Sequence, residues 1–320
     1  MPISITSDLN EDDFDYFRLL HAESISFLYP FSTVLTADAF IQSHKLQRDP
    51  LGYFTLRKTI WKGIYNNINV AFTVITEKRG GSIKFGPTIV APEFRNRGIG
   101  SEFRLTIEKQ YADLGYRKAF STTNIKNLAA VFYVTRIGYR IEAHLRDHFE
   151  LGKDELVLGK KLQPKKRLKS LSVDFDSLNP VERKLYVSLK KYCNQIDLSF
   201  FQNIRNSLTD TPQKNEEFFI KKGRKLFTSS DNNAVALTIP KRGDCVKISP
   251  LALSGNSKTD SRLIEDIVSF YKVDYRKFYT FTTSNSTKMK FLQKLGFVTE
   301  GLLSEPYKPD VDMVVMSLFL

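Results

Sequence analysis

The strongest constraint on the fold of this chain is an internal repeat. Four segments of the first half recur in the second half in the same order, namely 83–87 as 246–250, 116–124 as 275–285, 137–139 as 295–297 and 153–158 as 311–316. Such a repeat implies two copies of one α+β unit, and 320 residues suit two domains of ordinary size. We therefore predict tandem domains over 1–162 and 171–320, joined by a basic linker over 163–170.

A glycine-containing turn in the first copy is the most informative single motif. It closes a strand-like run over 82–90, opens a helix-like run over 101–114, and reads Arg95-x-x-Gly98-x-Gly100. Glycines let the backbone pass close to a ligand, and the first N–H groups of the following helix lack intrahelical acceptors. Arg95 and Arg97 add positive charge, so this turn is predicted to bind an anion, namely a pyrophosphate group. The alternative is a plain tight turn.

The second copy lacks this motif. After Ser249-Pro250 the segment 251–259 contains no R-x-x-G-x-G pattern, so we predict that the second copy is degenerate and forms a scaffold that shapes a substrate cleft. A single glycine and Lys258 leave a phosphate contact open as the alternative. The chain also has no G-x-x-x-x-G-K-[ST] run, which excludes a P-loop nucleotide site.

The glycine turn is part of a longer pattern. V-x-P-x-x-R-x-x-G-x-G spans 90–100, and Asn127-Leu128-Ala129-Ala130, Phe132-Tyr133 and Gly138-Tyr139 follow in order. Over residues 3–162 this pattern resembles the acyl-CoA motifs of the GNAT superfamily of N-acetyltransferases. The resemblance implies two tandem GNAT-like domains, each a mixed, mostly antiparallel sheet flanked by helices, with acetyl-CoA or another acyl-CoA as co-substrate and no metal. The cofactor-binding residues that it implies are Ile89, Val90, Arg95, Asn96, Arg97, Gly98, Ile99, Gly100, Ser101 and Asn127.

The reaction that the resemblance implies is acyl transfer from a thioester to an amine. A free alkylamine has a pKa near 10, so a base or a water chain must take its proton. The developing oxyanion is expected to meet a backbone N–H near Val90 or Ala91. In the family a tyrosine after the asparagine often protonates the thiolate, and Tyr133 is the candidate. Tyr133 lies one residue closer to Asn127 than is usual, and packing in the core beside Phe132 is its alternative role.

Two histidines are candidates for the base. His144 and His148 follow Gly138-Tyr139, where family members often line the acceptor cleft. Histidine suits proton transfer near neutral pH, while hydrogen bonding on the surface or within a strand pair is the alternative role. Their H-x-x-x-H spacing is not a zinc signature, because no third ligand is evident.

The composition narrows the class of protein and its partners. Apolar residues make up 42% of the chain, enough to bury a core, and no run is long enough to span a membrane. Two cysteines are too few for a disulfide framework, and the N-terminus has no signal-like pattern, so we expect a cytoplasmic protein. The net charge of +13 suits an anionic ligand such as CoA or a nucleic acid. Because the lysines are scattered, apart from 160–169, nucleic acid is not the favoured partner.

The sequence thus predicts an N-acyltransferase, most simply an N-acetyltransferase, in which the amine attacks acyl-CoA directly. The acceptor is expected to be a small-molecule or peptide amine. Two alternatives stay open: a non-catalytic acyl-CoA-binding or regulatory module, and an acyltransferase that acts on a tRNA-linked substrate. The sequence leaves the acceptor, the acyl chain length and the oligomeric state undetermined.

Secondary structure is predicted from periodicity and from capping residues. We expect a helix over 36–44 with Thr36 as its N-cap and a strand over 53–57. The helix that follows the glycine turn is expected to end with Gly115 as its cap.

Overall fold

The chain forms two compact units, one built from 1–141 and 157–168 and the other from 142–156 and 169–320. A computed structural model describes residues 3–25, 34–47, 54–206, 208, 224–241 and 243–320. Both units are α+β with mostly antiparallel strands, as predicted. In the part of the chain so described, no helix is long and apolar enough to cross a membrane.

The first unit contains, in chain order, β1 (Ser4–Thr6), α1 (Glu11–Ile25), α2 (Val34–Lys45), β2 (Thr55–Tyr65), β3 (Ile68–Lys78), β4 (Ser82–Val90), α3 (Ile99–Asp113), β5 (Lys118–Asn124) and α4 (Leu128–Arg136). β6 (Arg140–Glu150) and β7 (Lys153–Lys161) follow as a hairpin. The tip of this hairpin, residues 142–156, belongs to the second unit.

The sheet of the first unit has the strand order β1-β2-β3-β4-β5-β7. The strands β1 to β4 are antiparallel neighbours, whereas β4 and β5 run parallel. The central strand β3 is buried along most of its length and is rich in β-branched and aromatic residues, which suit a covered strand. Helices α1 and α2 cover one face, where Phe14, Phe17 and Ala37 share an apolar core with Phe72 and Ile89.

The strand β4 carries an irregularity that opens the sheet. A register shift against β3 places Gly86 and Pro87 in a bulge, where the missing N–H of proline does least harm to the ladder. The parallel ladder with β5 ends just before this bulge, at Phe85↔Ser121, whereas β4 continues to Val90. The carboxyl end of β4 therefore runs beyond its ladder with β5.

The second unit repeats this topology. It contains α5 (Pro180–Lys190), α6 (Leu198–Arg205), β8 (Lys225–Thr228), β9 (Val235–Lys241), β10 (Cys245–Ala252), α7 (Ser257–Tyr271), β11 (Lys277–Thr283), α8 (Thr287–Lys294), β12 (Val298–Leu303) and β13 (Met313–Phe319). Its strand order β8-β9-β10-β11-β13-β12 matches the order β2-β3-β4-β5-β7-β6, and the parallel pair β10–β11 takes the place of β4–β5. The repeat found in the sequence is thus also a repeat of strand order.

Several predicted boundaries are corrected. The helix α2 begins at Val34, so Thr36 lies inside the helix and is not its N-cap. The strand β2 continues past its predicted end to Tyr65, because it pairs with β3 along that length, and the predicted start at Tyr53 lies outside the described residues. The C-cap of α3 is Leu114 rather than the predicted Gly115, which follows Leu114 with a φ of +103°, the left-handed conformation in which many helices end.

Candidate functional site

The open end of β4 presents backbone groups that face away from β3. The N–H of Ala91 donates to the carbonyl oxygen of Val70 (2.9 Å), and Val90 lies opposite Ala71 in the ladder. Hydrogen-bonded and non-hydrogen-bonded pairs alternate in an antiparallel ladder, so Val90 occupies a non-hydrogen-bonded pair. Its N–H and C=O therefore point away from β3, and the same alternation turns the backbone of Thr88 outward.

This alternation corrects two expectations. The N–H of Ala91 is used within the ladder, so of the two residues predicted to stabilise an oxyanion only Val90 offers a free direction. Ile89 lies in a hydrogen-bonded pair with Phe72, and its side chain is part of the apolar core. A ligand beside β4 would meet the backbone of Thr88 and Val90 rather than that of Ile89. The sequence did not single out Thr88, because the phase of the strand depends on where the bulge falls.

The glycine turn and α3 form the second part of the site. Gly98 is the N-cap of α3 and has a φ of +81°, and Asn96 has a φ of +62°, conformations that glycine and asparagine adopt most readily. The hydrogen-bond ladder of the helix begins with the N–H groups of Ser101 and Glu102, which both donate to the carbonyl of Gly98 (3.0 and 3.1 Å). The two helical N–H groups that precede this ladder lie at the positive end of the helix dipole.

The two arginines of the turn are exposed. Arg95 donates from Nε to the carbonyl oxygen of Val90 (3.0 Å) and from Nη2 to Oγ of Ser24 (3.1 Å), so it ties the turn to the end of β4 and to α1. The guanidinium of Arg97 lies 5.7 Å from the ring centroid of Phe94. Each arginine thus has a partner in the turn or next to it, and their role in binding an anion stays a prediction.

Tyr133 of α4 meets the start of α3. Its hydroxyl donates to the carbonyl oxygen of Gly100 (2.6 Å). A Cβ atom on Gly100 would lie 3.3 Å from Cγ2 of Val90 and 3.7 Å from the hydroxyl of Tyr133, so β4, α3 and α4 converge at this glycine. Burial raises the pKa of Tyr133 to about 12, an effect that the nearby Arg104 opposes. The phenol is therefore protonated at neutral pH.

Asn127, predicted as a cofactor-binding residue, has a structural role at the start of α4. Its Oδ1 accepts the N–H of Ala130 (3.2 Å), which makes it the N-cap of α4. Phe132, the neighbour of Tyr133, is 70% exposed and so is not part of a buried aromatic pair. The structure thus brings together Val90, Gly100 and Tyr133, and it places Asn127 at the start of the helix that carries Tyr133.

The two histidines predicted as bases lie at the tip of the β6–β7 hairpin, which belongs to the second unit. Nε2 of His144 lies 2.6 Å from Oδ2 of Asp154. Burial would raise the pKa of that carboxyl, but hydrogen bonds from the N–H of Asp147 and from His144 lower it. The ring of His148 packs against that of Tyr279 at 5.2 Å. Neither histidine belongs to the unit that carries the glycine turn, and their role as bases stays a prediction.

A histidine that the sequence did not single out lies close to the turn. His21 is on α1, one turn before Ser24, and it is fully buried against Phe17 (5.7 Å) and Phe40 (6.1 Å). Neither of its ring nitrogens has a hydrogen-bond partner among the described residues. Burial lowers the pKa of His21 to about 4, so the ring is neutral at neutral pH. No local sequence signal marks a buried histidine of this kind.

No model of a protein family matches this chain, and no curated protein does. Among solved structures, the chain is similar to the ribosomal-protein-S18-alanine N-acetyltransferase from Escherichia coli (12% identity, TM-score 0.40, 51% of this chain and 96% of that chain). It is also similar to an acetyltransferase from Bacillus subtilis in complex with CoA (15%, 0.37, 50% and 98%) and to a GNAT family acetyltransferase from Elizabethkingia anophelis with acetyl-CoA bound (18%, 0.36, 50% and 98%). Each match spans about half of this chain. Because the identities and TM-scores are low, these similarities assign no function to this chain.

Proposed function

We propose that this chain is a GNAT-type N-acetyltransferase that uses acetyl-CoA or another acyl-CoA and acts on a small-molecule or peptide amine. The observation that carries the proposal is the meeting of three elements at Gly100: the open end of β4, the glycine turn before α3, and Tyr133 of α4. These elements offer outward-facing backbone amides, an anion site and a protonated hydroxyl. An acyl-CoA carries the matching groups, which are the amides of its pantetheine arm, its pyrophosphate and its thioester.

The pyrophosphate would bind at the N-terminus of α3. The first helical N–H groups, at Ile99 and Gly100, precede the helical ladder and point to the positive end of the dipole. Gly98 keeps the approach open, because a Cβ built on it meets no heavy atom within 4 Å. Arg95 holds the turn against the end of β4, and Arg97 adds charge.

The pantetheine arm would lie along β4 like an added strand, bonded to the outward backbone of Thr88, while the carbonyl of Val90 stays bonded to Arg95. With the thioester beyond Val90, the N–H of that residue would stabilise the oxyanion. The amine nitrogen forms a bond to the carbonyl carbon, and the carbon–sulfur bond breaks. The departing thiolate takes the proton of the Tyr133 hydroxyl, and the proton of the amine passes to water or to a base. The phenolate of Tyr133 then regains a proton from water.

We propose further that 1–162 is the catalytic domain, 163–170 the basic linker and 171–320 a degenerate copy of the same fold. The recurrence of the strand order, with the parallel pair in the same place, supports two copies of one fold, although the tip of the β6–β7 hairpin, 142–156, belongs to the second unit. His144 and His148 stay candidates for the base within this proposal, and the cytoplasm is the proposed location.

Non-catalytic acyl-CoA binding is the second candidate, because the hydroxyl of Tyr133 is engaged by the carbonyl of Gly100. Turnover assays over a broad panel of amines separate the two, since a binding module would hold acetyl-CoA and transfer nothing. A tRNA-linked acceptor would instead show RNA affinity that falls steeply with salt.

A matched pair of variants tests the anion site. Asparagine and aspartate have nearly the same shape, and both tolerate the left-handed conformation of Gly98 better than other side chains. Gly98→Asn and Gly98→Asp therefore share any strain and differ only in charge. A negative charge about 5 Å from a pyrophosphate costs about 1–3 kcal/mol in a partly solvated site, or roughly 5- to 150-fold in affinity.

The measurement is calorimetric titration of CoA into both variants, with circular dichroism as the control for folding. We expect Gly98→Asp to lose affinity relative to Gly98→Asn by that factor. Equal affinities in the two variants would remove the turn from the CoA site.

A further inference from the structure

The second unit opens its sheet in the same manner as the first. The parallel ladder between β10 and β11 ends at Ile248↔Thr280, and a bulge with Ser249 and Pro250 follows in β10. Both strands continue past this point, β10 to Ala252 and β11 to Thr283. If the first unit holds an acyl-CoA in such an opening, the second has the backbone frame for another.

A lysine side chain fills this opening. Nζ of Lys288, on α8, donates to the carbonyl oxygen of Leu251 (3.0 Å) in β10 and to that of Phe281 (3.3 Å) in β11. Leu251 is the first residue after the bulge at which β10 pairs with β9 again. Thr88 holds the same position in β4, where pairing with β3 resumes after the bulge. The amino group of Lys288 thus binds the carbonyl oxygen of Leu251, whose counterpart in the first unit is the outward-facing carbonyl oxygen of Thr88.

The first unit has a small residue at the corresponding position. Lys288 lies four residues before the buried Leu292 of α8, as Ala130 lies four residues before the buried Val134 of α4. Helical residues four apart share a face. Alanine therefore leaves room beside the strands of the first unit where lysine occupies it in the second.

A carboxylate occupies the N-terminus of α7. Asp260 is buried, and its Oδ1 accepts the N–H (2.8 Å) and the hydroxyl (2.7 Å) of Ser254, while its Oδ2 accepts the N–H of Gly255 (3.0 Å). The N–H groups of the loop before the helix are therefore satisfied by an anion of the chain itself. In the first turn of α7, the N–H groups of Lys258 and Thr259 donate to Oδ1 of the N-cap Asn256 (3.0 and 3.2 Å). A second anion at this place would find these donors already occupied and would be repelled by the negative charge of Asp260.

The matching position in the first unit is a glycine. Leu263, Ile267 and Tyr271 are buried in α7, at the spacing of the buried Phe103, Ile107 and Tyr111 in α3. Asp260 lies three residues before Leu263, as Gly100 lies three residues before Phe103. Asp260 and Gly100 therefore occupy the same position in the two helices.

We infer that the second unit is closed to acyl-CoA by two of its own side chains, with the amino group of Lys288 in the gap between β10 and β11 and the carboxylate of Asp260 at the N-terminus of α7. The inference rests on the proposed function of the first unit. It implies one acyl-CoA per chain, and it identifies two residues whose removal would free the gap between β10 and β11 and the loop N–H groups before α7.

The test replaces both residues by their counterparts of the first unit in the full chain. CoA and inorganic pyrophosphate are titrated by calorimetry into the wild type, into Gly98→Asp, and into the triple variant Gly98→Asp, Asp260→Gly, Lys288→Ala. We expect one CoA per wild-type chain, CoA binding weakened by roughly 5- to 150-fold in Gly98→Asp, and in the triple variant an additional weak binding of CoA or pyrophosphate, with millimolar Kd, that Gly98→Asp does not show. Two CoA molecules per wild-type chain, or a folded triple variant that binds neither probe, would overturn the inference.

A second measurement leaves the second unit unaltered, in case the triple variant does not fold. Reductive methylation followed by mass spectrometry reports which amino groups are accessible. Burial, together with Lys191, lowers the pKa of Lys288 to about 7, so an accessible Lys288 would react faster than the exposed Lys258. We expect Lys288 to react at least tenfold more slowly than Lys258, and equal or faster labelling would contradict the inference. Neither this measurement nor the pyrophosphate titration requires turnover, so a failure of the proposed function would be seen separately.

Discussion

Replacement of Tyr133 by phenylalanine isolates the chemistry proposed for the junction of β4, α3 and α4. The substitution keeps the ring and deletes the hydroxyl that donates to the carbonyl of Gly100. With the pKa of Tyr133 near 12 and that of a thiol near 8.5, proton transfer from the phenol to the thiolate is uphill by roughly 5 kcal/mol. A turnover of about 10 s⁻¹ corresponds to a barrier of about 16 kcal/mol, so a transfer of this size is compatible with catalysis.

We expect kcat of Tyr133→Phe to fall by about 100-fold, at the lower end of the range for a positioned acid, with CoA affinity little changed. The lost hydrogen bond to Gly100 costs about 1 kcal/mol of unfolding free energy. Tyr116→Phe is the matched control, because its hydroxyl donates to Oε2 of Glu77 (2.5 Å), on β3. That control should lose stability without losing kcat.

The assay follows thiol release from acetyl-CoA with an accepted amine, at saturating concentrations of both substrates. Urea unfolding of each variant separates a loss of fold from a loss of chemistry. A kcat within threefold of the wild type would refute the role of Tyr133 as the acid and leave it as a packing residue of α4. Because burial raises its pKa, the phenol of Tyr133 should also cause no loss of activity between pH 7 and pH 10.

Two further predictions concern His21 and Ala130. Burial lowers the pKa of His21 from 6.5 to about 4. Between these pH values the unfolded chain therefore binds more protons than the folded chain. The unfolding free energy of the wild type should fall by about 3 kcal/mol as the pH is lowered from 6.5 to 4. Urea unfolding at pH 7 and pH 4 measures this loss, which the variant His21→Leu should not show. An equal loss of unfolding free energy in both proteins would refute the lowered pKa of His21. Ala130→Lys should close the first opening as Lys288 closes the second, lowering CoA affinity at least tenfold in calorimetry. Ala130→Gln is the control of similar bulk without an amino group, and an unchanged affinity of the lysine variant would contradict the comparison of the two helices.

The α+β fold could be predicted from the sequence because its elements depend on short-range patterns. The strand β4 has the predicted bounds of 82–90, and the helix after the glycine turn runs as Ile99–Asp113. Both follow from periodicity and from glycines at the ends of elements. The order of the repeated segments likewise anticipated the repeated strand order, since similar sequences make the same local elements and pair them alike.

Side-chain partners were harder to predict, since they depend on elements far apart in the chain. Thr36 was misplaced as a cap, because its helix starts earlier than its own pattern indicates. No sequence pattern singled out Lys288, yet its amino group bonds to the carbonyl oxygen of Leu251, which only the folded chain brings near.

By itself the sequence determined the repeat, the strand–turn–helix motif with Arg95, Gly98 and Gly100, and the loss of that motif in the second copy. Only the tertiary structure decided that Val90 rather than Ala91 turns its N–H outward, that Tyr133 reaches Gly100, and that the tip of the β6–β7 hairpin belongs to the second unit. The physical reason is that glycine, proline and periodic apolar residues act on their own segment. The direction of a backbone group or a side chain depends instead on the register of a neighbouring strand and on the packing of a distant helix.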